Sequence, residues 1–234
     1  MKRTTTLSLA FAMMGSAVLV SSAAQASTIT IQTANSNAAA QNSAAAYRSV
    51  VDAALASPAG AATSKTVAIY DNIASQSLLG GSLSSIAFKS TVDFGVSAAN
   101  AGLWTIRSGV DFSKGGAIFV DGVAYGYSSS DMYWAGAYNT PGQYFNIALN
   151  LAAGNHTLNI YGLEACCGGL QQAQFKAGSS ASFTTFSNTD NLVSPVPEPG
   201  IYAMLLIGMG LLAFSARRET RGRSDKFAAQ GVRA

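Results

Sequence analysis

The chain has 234 residues, of which 11% are charged, and a formal net charge of +3. That surplus belongs to the ends, because residues 27–196 hold six basic and eight acidic residues, a balance of −2. No basic patch is left there to neutralise phosphates, so nucleic acid is not an expected partner, and about 170 weakly charged residues with many aromatics suit one folded domain.

At the N-terminus, Met1-Lys2-Arg3, the apolar stretch Leu7 to Val20 and Ala24-Gln25-Ala26 read as a secretory signal peptide over 1–26. Cleavage between Ala26 and Ser27 by signal peptidase is expected, the small residues Ala24 and Ala26 fitting its site. Thr28 to Gln32 alternates as a strand. A helix is expected at about 43–57, where Tyr47, Val50, Val51, Ala54 and Leu55 form one apolar face, Asn42 or Ser43 can cap the start, and Pro58 with Gly60 ends it.

β-structure follows. Strands are expected at 66–70, 85–96, 103–112, 117–120 and 123–127, the last two joined through Asp121-Gly122 as a type I′ hairpin. Further strands over 144–151 and 156–163 flank Ala152 to Asn155 as another hairpin, and 172–176 and 182–186 complete the set. This spacing predicts a mainly β fold: an antiparallel β-sandwich or jelly roll with one N-terminal amphipathic helix. The exported domain is placed at 27–190.

Both cysteines are neighbours, Cys166 and Cys167. Adjacent Cα atoms lie about 3.8 Å apart, below the usual disulfide range of roughly 4.4–6.8 Å, so a ring between them needs a distorted turn, which Gly168-Gly169 permits. Three readings stay open: a vicinal disulfide stiffening the loop, free thiols or intermolecular bridges, and a metal site. The last lacks ligands, since His156 is the sole imidazole. No metal or cofactor is expected.

After a linker over 191–200 the apolar segment 201–216 reads as a transmembrane helix, and 217–234 as a basic cytoplasmic tail. Its sixteen residues give about 24 Å as a helix against a hydrocarbon core of roughly 30 Å. Pro197-Glu198-Pro199, the apolar run and Arg217-Arg218 in this order resemble the PEP-CTERM sorting signal of Gram-negative bacteria. That resemblance implies an exosortase as partner, recognising Pro197, Glu198 and Pro199. It also implies a membrane-anchored precursor, then a place at the cell surface or in the extracellular matrix.

Three stretches are similar to PA14-type β-sandwiches. They are Gly102-Leu103-Trp104-Thr105-Ile106-Arg107 with Gly109-Val110-Asp111-Phe112, then Ile118-Phe119-Val120-Asp121-Gly122, then Ala153 to Tyr161. Many such lectins set two adjacent aspartates in a calcium-dependent sugar site, whereas Asp111 is followed here by Phe112. Cys166-Cys167-Gly168-Gly169 together with the tail resembles the Cys-Cys-x-Gly (CCXG) family of PEP-CTERM proteins.

Catalysis has little support: there is one histidine and no Gly-x-Ser-x-Gly elbow or phosphate loop. A secreted or envelope, non-enzymatic component of the polysaccharide or biofilm matrix is the leading expectation. The alternative is a carbohydrate-binding adhesin using the aromatic region 125–144, with Tyr133, Trp134 and Tyr138 as exposed glycan contacts. Asp111, Asp121, Asp131 and Glu164 leave a glycoside hydrolase as the weaker alternative.

Overall fold

The computed structural model describes residues 27–80, 84–178, 180–190 and 206–212. Along them run β1 (Thr28–Asn35), α1 (Ala44–Ala56), a 3-10 turn (Pro58–Gly60), β2 (Thr63–Thr66), β3 (Ile73–Ala74), α2 (Ser75–Leu79) and β4 (Ile86–Val96). β5 (Gly102–Gly109), β6 (Asp111–Phe112), β7 (Gly116–Val120), β8 (Val123–Ser128) and β9 (Met132–Tyr133) come next. β10 (Tyr144–Leu151), β11 (Gly154–Glu164), β12 (Leu170–Ala177) and β13 (Thr184–Thr185) close the series.

Alternating side chains make these strands two-faced, and two sheets bury their apolar faces against each other. The first has the order β2-β1-β4-β11-β7-β8 and the second β10-β5-β12-β13, with β3 also pairing β12. The pairings are antiparallel throughout. Between the sheets lie Phe88, Val92 and Phe94 of β4 and Leu158 and Ile160 of β11. They face Trp104 and Ile106 of β5 and Phe145, Ile147 and Leu149 of β10.

A second apolar cluster lies on the other side of the first sheet, where Tyr47 and Val51 of α1 cover Ala87, Ala117, Phe119, Tyr161 and Leu163. The helix therefore adds a third layer, and β7 is buried along its whole length. Its boundaries agree with the expected helix, and Ser43 is the N-cap, accepting from the Ala46 N–H at 3.2 Å. Asp121 (φ 51°) and Gly122 (φ 77°) both adopt the left-handed geometry of a type I′ turn between β7 and β8.

Several expectations are corrected. The predicted hairpin across Ala152 to Asn155 does not form: β10 pairs with β5 in the second sheet, β11 with β4 and β7 in the first. The reason lies in their faces. β10 alternates buried and exposed residues and belongs at a wet sheet face, whereas β11 buries residues on both faces and belongs under α1. The strand expected over 66–70 ends at Thr66, leaving Ile69 in an isolated bridge to Ser187. The one expected over 103–112 breaks at Val110, so that β6 turns away to pair with β9. The strand at 182–186 shortens to β13, and the short helix α2 was not expected.

Of the expected membrane segment 201–216, residues 206–212 are helical and the remainder lies outside the described residues. Among the described residues no helix is long and apolar enough to cross a membrane. The signal peptide with Ala24 and Ala26, the motif Pro197, Glu198 and Pro199, and Arg217 and Arg218 also lie outside them.

Candidate functional site

At one end of the sandwich the chain leaves β11 through Glu164 into the cysteine loop. The Glu164 carboxylate is 2% exposed and accepts from the Ser113 N–H (2.9 Å), the Ser113 hydroxyl and the Cys166 N–H (2.8 Å). The Ser113 Oγ accepts in turn from the Ala165 N–H at 2.7 Å. Cys166 and Cys167 are joined as a disulfide with Cα atoms 3.7 Å apart, and Cys167 has φ 78°. Both cysteines are exposed. Asp111 sits behind the loop, its pKa raised to about 6 by burial, then by the charges of Glu164 and Asp131, against a Gly169 N–H hydrogen bond that lowers it.

The Glu164 carboxylate is committed to its own loop. Both Glu164 oxygens already accept from Ser113 and Cys166. Among the described residues no group of three or more His, Cys, Asp and Glu is placed to hold a metal ion. His156 and Asp121 form a separate pair, Nδ1 to Oδ2 at 2.7 Å, with Asp121 also accepting from the Thr157 N–H at 2.9 Å. These contacts fasten β11 to the β7–β8 turn. The four carboxylates weighed for a hydrolase are thus not one constellation, because Asp121 and Glu164 are taken up by different turns.

The aromatics of 125–144 divide. Tyr125 and Tyr127 are exposed on the edge strand β8, and Tyr133 is 58% exposed beside β6. Trp134, expected at the surface, is buried at 2% exposure. Its backbone N–H donates to the Val110 carbonyl at 3.2 Å, and its ring lies on Gly109, where a Cβ would stand 2.2 Å from the indole. Only glycine at 109 lets the ring approach the strand so closely.

Tyr138 lies over the outer face of the second sheet. Its hydroxyl accepts from the Gly109 N–H (3.3 Å) and donates to the Gln172 carbonyl (3.4 Å), and burial pushes the phenol up to about 12, so that it stays a donor. Its ring meets Trp134 at 5.4 Å and Tyr144 edge-on at 5.1 Å. Beneath it stands Arg107 of β5, whose guanidinium carbon is 3.9 Å from the Tyr138 ring centre and 3.8 Å from that of Phe183. Arg107 Nε and Nη2 donate to Gln174 Oε1 at 2.8 and 2.6 Å, and Gln174 Nε2 donates to Thr185 at 3.2 Å. Asn146 of β10, opposite Arg107, is exposed.

This face offers what a polar ring-shaped ligand needs: fixed aromatic walls, a cation and exposed amides. Sequence reasoning reached Tyr138 but missed Arg107, Gln174 and Phe183. Alternation along β5 puts Arg107 on the side opposite Trp104 and Ile106, and that signal was readable. Its pairing with Phe183 was not, since 76 residues separate them.

A second signal lies at the C-terminus. Residues 195–219 match the PEP-CTERM protein-sorting motif. The motif contains Pro197, Glu198, Pro199, Arg217 and Arg218, and it indicates export and sorting at the cell surface. No curated protein matches the chain. The fold is similar to a solved PA14 sugar-binding domain from an RTX adhesin, at 11% identity and TM-score 0.46, covering 72% of this chain and 98% of that one. It is likewise similar to the A domain of epithelial adhesin 9 from Candida glabrata in complex with Galβ1-3GlcNAc. There the identity is 8% and the TM-score 0.45, covering 73% of this chain and 91% of that one.

Proposed function

We propose that the chain is an exported, non-enzymatic protein that an exosortase sorts and that binds polysaccharide of the surrounding matrix. In this reading signal peptidase removes 1–26, the domain 27–190 is the exported part, 191–200 is the linker presenting the motif, 201–216 anchors the precursor and 217–234 is cytoplasmic. The sorting half is supported by the motif match over 195–219. Grouping with the CCXG proteins rests on Cys166, Cys167 and Gly169 taken together with the tail.

The binding half is carried by one observation: Arg107 is clamped between Tyr138 and Phe183 on a solvent-facing sheet. Rings that are already immobilised lose little entropy when a sugar stacks on them, and neighbouring amides meet its hydroxyls. Tyr138 and the exposed Tyr133 remain the glycan contacts of this reading. Trp134 is replaced as a contact, because it is buried on Gly109 beside Tyr138 on that same face.

Two measurements test it. Glu198→Ala should leave full-length precursor in the membrane fraction, and normal release of that variant would refute exosortase sorting. Retention of the protein on purified exopolysaccharide should fall about tenfold in Tyr138→Ala, as one stacking contact is worth roughly 1–2 kcal/mol. Unchanged retention would remove this face from the reading.

A further inference from the structure

The stacked arginine has an unused end. A guanidinium carries five N–H donors in a planar fork. At Arg107 the edge formed by Nε and Nη2 is occupied by Gln174, and both flat faces are covered by rings. Gln174 cannot swing away freely, since its own amide is held by Thr185. The remaining end of the fork, Nη1 with the outer Nη2 hydrogen, makes no hydrogen bond among the described residues. Nor does Arg107 form an ion pair there: the ion pairs among the described residues are Lys89–Asp52 and His156–Asp121.

A half-buried arginine held still without a carboxylate partner is a receptor in waiting. Lys176 adds a second positive charge, its Nζ 5.4 Å from the Phe183 ring centre and its residue two positions along β12 from Gln174 on the same face. The neighbouring carboxylate, Asp71, accepts from the Gln172 and Asn72 amides at the rim near Tyr138.

We infer that this end of the fork takes the carboxylate of a uronic acid, so that the polysaccharide bound is an acidic one. The inference rests on the glycan-binding reading above and narrows it. Two parallel N–H···O bonds match a planar carboxylate, which a lysine ammonium cannot reproduce. Tyr138 and Phe183 then flank the sugar ring, and Asn146, directly across from Arg107, reaches its hydroxyls.

The test uses the full chain in non-ionic detergent, run by affinity electrophoresis in gels containing polygalacturonate, its methyl ester, dextran or dextran sulfate. Polygalacturonate should retard the protein, and the methyl ester should do so at least about tenfold more weakly, since esterification removes the charge that strengthens the bond. Arg107→Lys, with net charge unchanged, should lose about tenfold for polygalacturonate while melting near the wild-type temperature. If that variant unfolds early, Lys176→Ala serves instead, with about a threefold loss for polygalacturonate and none for the ester.

Equal retardation by acid and ester would overturn the uronate inference yet leave sugar binding standing. Retardation by dextran sulfate as strong as that by polygalacturonate, or full retention of affinity in Arg107→Lys, would reduce the effect to general charge attraction and overturn it too. Absence of binding to every polysaccharide would take down both this inference and the function on which it rests.

Discussion

Glu164 and Asp111 are close neighbours, and their environments differ. Glu164 is satisfied by three donors from Ser113 and Cys166. Asp111 has burial and two like charges against it, with the Gly169 N–H as compensation. Its carboxyl, raised to about 6, holds a proton in the folded protein that an unfolded chain releases near pH 4. The sign follows: this group opposes folding once it must ionise, so stability declines as pH rises from about 4 to about 6 and stays lower above. Asp111→Asn keeps an acceptor for Gly169 and removes the titration. The variant should match wild type near pH 4 and exceed it by about 1–3 kcal/mol at pH 7 in urea melts. A variant that keeps the wild-type decline between those pH values would show that Asp111 is not its source.

Among elements, α1 shows how weak local signals are backed by packing. It has no acidic residue in its first turn and no basic one in its last, so the helix dipole receives no help. What holds it is burial of Tyr47 and Val51 on the first sheet, with the Tyr47 hydroxyl donating to the Lys114 carbonyl at 2.6 Å. The Lys89–Asp52 pair at 2.8 Å is partly exposed, with Asp52 43% open, and is screened by water. Ser43→Ala should therefore cost about 1 kcal/mol through the lost cap, and Asp52→Asn well under 1 kcal/mol, by urea denaturation. The reverse ranking would mean that the ion pair, and not the cap, secures the helix.

At the scale of the whole molecule, stability resides in the two sheets and the helix layer, and the disulfide joins nothing distant. A cross-link between neighbours closes almost no loop, so its effect on the unfolded chain is at most about 1 kcal/mol. Replacing both Cys166 and Cys167 by serine should shift the melting temperature by only a few degrees. A collapse of the fold would show instead that the loop organises Glu164 and Asp111. Intact mass before and after reductant checks the bridge itself, a gain of two hydrogens on reduction being expected.

Legible in the residues alone were the alternation of most strands, the amphipathic helix with a cap at Asn42 or Ser43, the Asp121-Gly122 turn and the sorting signal. Each is set by local geometry or by a contiguous pattern. Tertiary structure alone decided which strands are neighbours. Residues 152–155 look like a hairpin turn locally, but β11 has two dry faces and β10 one, and that difference in solvation sends them to different sheets. The same kind of choice buried Trp134 over Gly109 and assembled Arg107, Tyr138, Gln174 and Phe183 from distant stretches. A binding face is a property of which surfaces exclude water together, and spacing along one chain does not carry that information.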